Sequence, residues 1–257
     1  MSESVFSQHS VAVVVGASRG IGLALSAALV KHPRFDHIVA CAREPDQCPE
    51  LQALIERSDG RVLGHAVDVT RAASVSALGQ LLDRNGFRPA LVLNAAGLLH
   101  KGRRLRPEKR LEDIDFEAMQ AVFAVNALGP ALVMRELMPR MAPTGKRVFA
   151  ALSARVGSIG DNRLGGWYAY RSSKAALNQL LKTAAIEARR RFEGLVVAAL
   201  HPGTTDTALS RPFQARVPED KLFSADFAAR RLLEVVEVLG PGDSGGFFAW
   251  DGQPIPW

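Results

Sequence analysis

VAVVVGASRGIG, residues 11–22, decides how the rest of the chain reads. Val11–Val15 is a short β-branched run that suits a strand buried on both faces. Gly16, Gly20 and Gly22 follow at once, and the apolar-periodic stretch 20–32 predicts a helix. Glycines between a strand and a helix permit a tight turn, let backbone N–H groups approach a pyrophosphate, and let the helix pack close to the sheet. The helix N-terminus then turns its partial positive charge toward the phosphates. The spacing is Gly-x3-Gly-x-Gly rather than the commoner Gly-x-Gly-x-x-Gly, and such a cluster also makes a plain tight turn. The flanking strand and helix favour a dinucleotide site lined by Gly16, Ser18, Arg19, Gly20, Ile21 and Gly22.

Outward from this turn, apolar runs alternate with helical stretches to the end of the chain. Strands are predicted at 37–42, 62–69, 90–95, 147–152, 195–200 and 246–250. Helices are predicted near 47–58, 71–84, 112–139, 168–192 and 225–239, with Pro130 expected to kink the long 112–139 stretch. Repetition of this kind builds βαβ units. The expected fold is α/β: a single doubly wound, Rossmann-type domain over 1–257, with a mostly parallel seven-stranded sheet and helices on both faces. Residues 1–10 are expected to be flexible, and 204–224 to form a substrate loop.

The chain's 257 residues are 47% hydrophobic and 23% charged, which excludes wholesale disorder and fits one large α/β domain. No run of 18 apolar residues is present, so no membrane partner is expected. The N-terminus lacks the basic-then-apolar order of a secretory signal. Cys41 and Cys48 cannot build a disulfide framework, which points to a reducing, cytoplasmic setting. The net charge of +6 comes without a base-stacking aromatic cluster or zinc-ligand spacing, so neither nucleic acid nor metal is expected.

Candidate ligand groups collect at the predicted strand ends, where ligands bind in open α/β sheets. Asp68 and Val69 end the third strand; the carboxylate either accepts a bond from an adenine amino group or serves the start of the next helix. Asn94, Ala95, Ala96 and Gly97 end the fourth and leave room for a flat ring or a ribose. An NAD site would carry an acid at the end of the second strand for the ribose 2′-hydroxyl. Ala42 stands there instead, followed by Arg43, whose charge suits a 2′-phosphate. Arg19 can reach the same phosphate from the glycine turn. Either arginine is otherwise an ordinary surface charge. NADP(H) is therefore favoured over NAD(H).

Tyr170 and Lys174 lie four apart on the predicted 168–192 helix and share a face. An ammonium beside a phenol favours the phenolate, which brings the tyrosine pKa down and lets it exchange a proton with a substrate oxygen. The pairing is informative because the chain has two tyrosines, and Tyr168 has Ser172 at its fourth place. Ser153 closes the fifth strand, where a hydroxyl either orients a carbonyl or simply ends the strand. Asn126 interrupts an apolar helical stretch; its side chain suits a helix carbonyl or an ordered water.

Together, Gly16/Gly20/Gly22, Asp68, Asn94–Gly97, Asn126, Ser153, Tyr170-x-x-x-Lys174 and Pro202-Gly203 resemble the short-chain dehydrogenase/reductase family, in its order and over essentially the whole chain. The resemblance implies Tyr170 as general acid/base and Lys174 as the residue that lowers its pKa and holds the nicotinamide ribose. It implies Ser153 as the substrate-orienting hydroxyl and Asn126 as the holder of a relay water. Pro202, Gly203, Thr204 and Thr207 fall in the segment that packs on the nicotinamide. The stretches 157–162 and 165–170 and the tail Phe247–Gly252 are similar to the C-factor and sniffer-type carbonyl reductase branch. That likeness implies NADPH-linked reduction of a small carbonyl, or oxidation of an alcohol. Val15 replaces the family's usual threonine, Ala95 its second asparagine, and the interval of 17 from Ser153 to Tyr170 is long, which keeps Ser158 as the alternative to Ser153.

The basic stretch Lys101–Arg110 fits an anionic ligand or a solvated loop, His100 the cleft or the surface, and Trp167 and Phe213 an apolar pocket or the core. The 168–192 helix is apolar around much of its circumference, which predicts a homo-oligomer, dimer or larger. A non-catalytic dinucleotide-binding signalling protein on the same fold is the rival reading; the intact Asn126, Ser153, Tyr170 and Lys174 set speaks against it.

Overall fold

The computed structural model describes residues 5–102 and 105–257. β1 (Ser10–Val15) leads through the glycine turn into α1 (Gly20–Lys31), followed by β2 (Phe35–Ala42), α2 (Pro49–Glu56), β3 (Val62–Ala66), α3 (Ala72–Arg84) and β4 (Pro89–Asn94). The second half runs α4 (Phe116–Phe123), α5 (Gly129–Leu137), β5 (Arg147–Leu152), α6 (Tyr168–Arg191) and β6 (Leu195–His201). Two-residue strands β7 (Thr204–Thr205) and β8 (Leu222–Phe223) precede α7 (Ala225–Val238) and β9 (Gly246–Ala249). The main sheet has seven strands in the order β3-β2-β1-β4-β5-β6-β9, every pair parallel. The order in which strands are added reverses between β1 and β4, so their carboxyl ends open a crevice where Val15 pairs with Asn94.

The unbroken apolar run of β1 has a plain cause. Ala12 and Val14 belong to one core with Leu25 and Leu29 of α1 and Leu232 and Val236 of α7. Val13 and Val15 belong to the other, with Leu78 of α3, Leu137 of α5 and Leu177 of α6. Both faces are covered, so successive side chains on both must be apolar.

Four local differences stand out against the expectations. The predicted 112–139 helix begins at Phe116, because Asp115 caps it by accepting from the Ala118 N–H at 2.8 Å. It then widens into a π turn over Ala124–Leu128 before α5. Pro130 has no N–H to give the Asn126 carbonyl four residues back, and the Gly129 N–H bonds Ala124 O, five back. Phe116–Arg140 as a whole also reaches the length and apolarity of a membrane span, where none was expected; half of its most apolar window is buried, with Val122, Val133 and Leu137 in the core. Finally, residues 1–4 of the leader expected to be loose lie outside the described residues, while Phe6 is buried against Phe35, ring centroids 5.0 Å apart. The 204–224 loop is shaped by the β7–β8 pair and two short 3-10 turns.

Candidate active site

The crevice between β1 and β4 is built for close approach. Gly16 has φ +90°, and a Cβ there would lie 2.7 Å from the Ala96 nitrogen. At Gly22 a Cβ would run into the Gly16 carbonyl, so any side chain would push α1 off the strand. Gly20 has φ +55°, and a Cβ there would lie 3.1 Å from the Thr207 methyl, so this threonine sits over the turn. Arg19, at the N-cap of α1, gives the first turn no side-chain bond. Asn94 accepts from the Ala96 N–H at 3.1 Å, but its buried Nδ2 has no partner among the described residues. An orphaned donor, an uncapped helix start and a glycine cradle together fit a phosphate-bearing dinucleotide.

Arg19 and Arg43 are both exposed, and neither guanidinium has a hydrogen bond or ion pair among the described residues. Asp68 is half-buried. Its Oδ1 accepts from the Thr70 hydroxyl at 2.7 Å and the Thr70 N–H at 2.9 Å, and α3 begins later, at Ala72. The Thr70 hydroxyl bond, ahead of the Thr70 N–H and the charges of Arg43 and Arg71, holds its carboxyl below the usual range. Val69 is buried, where a Cβ on Gly129 would sit 2.8 Å from it. Ser18, Ile21, Ala95 and Ala96 are half-buried along the same edge. Gly203 has φ +75° and no Cβ, which leaves room for Phe223 and Trp250 to meet edge-on beside it, centroids 4.7 Å apart; Pro202 precedes it, and Thr204 is exposed.

Tyr170, Lys174 and Asn178 occupy one stripe of α6 at spacings of four, facing the end of β5. Lys174 Nζ donates to the Leu152 carbonyl at 2.7 Å and stands 5.8 Å from the centroid of the Tyr170 ring. Ser153 donates to Asn178 Oδ1 at 2.6 Å. A serine has one O–H, so a carbonyl substrate must take the place of Asn178 as its acceptor, whereas an alcohol substrate can donate to the lone pairs already free. Ser158 instead accepts from the Asp161 N–H at 3.1 Å within its own turn. Asn126 is fully buried, and its partners among the described residues include no helix carbonyl. It accepts from the Leu98 N–H at 2.7 Å and donates to Leu98 O at 2.8 Å and to Ser173 Oγ at 3.0 Å, which ties the loop after β4 to α6. A Cβ on Gly97 would lie 3.8 Å from Asn126 Oδ1 and 4.0 Å from Lys174 Nζ, so these three converge.

The electrostatics differ from the expectation in one respect. Burial pushes the Tyr170 phenol up to about 12, rather than Lys174 bringing it down, and burial pushes Lys174 down to about 8. Desolvation penalises whichever form is charged and here outweighs the attraction between ammonium and phenolate. The phenol is thus a proton donor at neutral pH.

Two loops close on this edge. His100 Nε2 lies 3.2 Å from the Ala208 carbonyl, and its ring meets Phe213 at 5.7 Å; Phe213 meets Trp167 at 4.9 Å, and Trp167 meets Tyr170 at 6.2 Å. The basic loop places Arg106 beside the small cavity that Tyr170 lines, while Lys101, Lys109 and Arg110 are exposed and residues 103 and 104 lie outside the described residues. No group of three or more potential metal ligands occurs among the described residues. Sequence reasoning missed three buried groups: Asn178, legible as the third polar residue of the i, i+4, i+8 stripe; Ser173, which lacked any signal; and Glu108, treated below.

Residues 10–217 match the short chain dehydrogenase family. The chain belongs to that family. It is 37% identical over 147 residues to the C-signal of Myxococcus xanthus, covering 57% of this chain and 83% of that protein. It is 29% identical over 252 residues to 1-hydroxy-2-glutathionyl-2-methyl-3-butene dehydrogenase of Rhodococcus sp. (strain AD45), covering 96% of this chain and all of that protein. A carbonyl reductase from Pseudomonas aeruginosa PAO1, solved in complex with NADP, superposes with a TM-score of 0.79 at 27% identity, over 97% of this chain and 100% of that one.

Proposed function

We propose that this short-chain dehydrogenase is an NADP(H)-dependent carbonyl reductase, with Tyr170 as the group that gives and takes the proton on a small-molecule carbonyl or alcohol. The observation that carries the reading is the convergence of Lys174 Nζ, Asn126 and Gly97 beside Tyr170 and the end of β5, next to a glycine cradle that admits a pyrophosphate. Bound there, the nicotinamide supplies a hydride to the carbonyl carbon in reduction and takes it back in oxidation. The chain does the rest. Ser153 orients the substrate oxygen, and the buried, protonated Tyr170 phenol donates to it. Lys174 keeps two N–H donors beyond the one on Leu152, which suit a ribose diol. Asn126 locks Leu98 and Ser173 in place around them. The 204–224 segment, resting on Gly20 through Thr207, serves as the substrate loop.

The cofactor preference rests on Ala42, Arg43 and Arg19, and is supported by the NADP complex of the Pseudomonas relative. Arg43→Ala is expected to weaken NADPH binding about 10–150-fold, the scale of one charged hydrogen bond, while NADH binding moves less than about twofold. Fluorescence titration with both cofactors checks this; equal losses for both, or tighter NADH binding by the wild type, would remove Arg43 from the 2′-phosphate.

Ile186 is 53% exposed on α6, and Phe116 and Leu128 are exposed on the α4–α5 stretch. A homodimer or larger assembly built on these helices is expected, and a monomer by light scattering at micromolar concentration would contradict it. Cys41 and Cys48 are both free thiols, in keeping with the cytoplasm. The likeness to C-signal supports one other reading, a dinucleotide-binding signalling protein. That protein would bind NADPH and turn over no carbonyl, so a carbonyl screen that follows NADPH absorbance separates the two.

A further inference from the structure

The helix that carries Tyr170 starts without a cap of its own. Trp167, its N-cap residue, has φ +54° and makes no side-chain cap bond. The N–H groups of its first turn therefore need acceptors from elsewhere. The loop after β4 supplies two acceptors at this end of the helix. The Glu108 carbonyl accepts from the Trp167 N–H at 2.6 Å, and Glu108 Oε2 accepts from the Ala169 N–H at 3.2 Å, a contact across 61 residues of chain.

Glu108 is a costly residue to place there. It is 5% exposed and lines a small cavity with Leu99, Leu105, Val122 and Tyr170. A buried carboxyl group needs partners for its polar atoms, and the Ala169 N–H at the start of α6 supplies one to Oε2. Gly166, at φ +64°, completes the fit: a Cβ there would lie 3.4 Å from the Glu108 carbonyl. The 24 residues of α6 do not depend on this turn to stay folded, since Leu177, Leu181, Ala185 and Ala188 anchor the helix in the core. What the turn does carry is Tyr170, its third residue.

We propose that Glu108 is a positioning residue: from the substrate-side loop it caps the catalytic helix, so that seating this loop and placing the Tyr170 phenol are one event. The inference rests on the carbonyl-reductase reading above. Glu108→Ala and Glu108→Gln in the full chain test it, with amide hydrogen exchange, NADPH titration, thermal melting and turnover read side by side. In Glu108→Ala the amides of 167–170 should exchange about tenfold faster or more, while those of 177–188 keep their protection. Its kcat should fall about 10–100-fold, the cost of a misplaced reacting group, with the NADPH Kd changed less than about twofold. Glu108→Gln, whose amide oxygen still accepts, should restore both readouts to near wild type. A wild-type kcat in Glu108→Ala with only a lower Tm would reduce Glu108 to a stabilising contact and overturn the proposal. Unchanged exchange at 167–170, or a Glu108→Gln as slow as Glu108→Ala, would overturn it as well. Exchange is read without substrate, so a wild-type chain that reduces no carbonyl overturns the reductase reading and the kinetic half of this one, while the anchor is still measured.

Discussion

Tyr170→Phe is expected to lower turnover by at least ~100-fold, the scale of a lost general acid, while NADPH affinity and the melting temperature stay near wild type. The substitution removes one oxygen from a ring that is 8% exposed and already packed edge-on against Trp167, so the wall of the site survives. No hydrogen bond of the Tyr170 hydroxyl to another described residue is lost, and Lys174 Nζ keeps its bond to Leu152. The loss should therefore appear in kcat rather than in Kd. Burial keeps the phenol protonated up to about 12, so the wild type holds the acid form across the neutral range in the reductive direction. Steady-state rates of both proteins on one good carbonyl substrate decide the matter; turnover near wild type in the phenylalanine variant would take the proton transfer away from Tyr170.

Much of this was legible from residue order, for reasons that differ from element to element. The five consecutive apolar residues of Val11–Val15 could be read as a doubly buried strand because a helix-covered parallel sheet leaves no polar face. Gly16, Gly20 and Gly22 were legible because a Cβ would run into the Ala96 nitrogen at the first and the Gly16 carbonyl at the last, while Gly20 takes a left-handed φ of +55°. Spacing also placed Tyr170 and Lys174 together, since i and i+4 share a helix face. Spacing says nothing of burial, however, and burial sets both pKa values; hence the direction of the Tyr170 shift was not readable. The π turn at Asn126 followed from Pro130, but a kink and a widened turn are alternative responses to the same missing N–H, and the packing of Asn126 on Leu98 accompanies the second. Glu108 was hidden for a stronger reason. It lies in a basic, irregular loop, and the amide its side chain caps is 61 residues away, so no local pattern marks it.

Lys174→Ala should do the widest damage, because the lysine serves both the cofactor and the phenol. A loss of about 10³-fold in kcat/KM is expected, combining the scale of proton-transfer assistance with that of one charged hydrogen bond. Unlike Tyr170→Phe, it should also raise the NADPH Kd, by about tenfold. The lysine is held at both ends: its stem passes against Gly157, where a Cβ would lie 2.6 Å from the Lys174 Cβ, and Nζ holds the last carbonyl of β5. Its protonation gives a second, independent readout. Burial pushes the ammonium down to about 8 in the free protein, and kcat/KM reports ionisations of the free enzyme. If the charged form is the working one, kcat/KM for reduction falls as pH rises through about 8, well below the range in which Tyr170 would lose its proton. Lys174→Arg keeps its charge through that window, so its residual activity should lack the alkaline limb. A limb at the same pH in the arginine variant would assign the titration to another group, and a Lys174→Ala variant with wild-type NADPH affinity would detach the lysine from the cofactor.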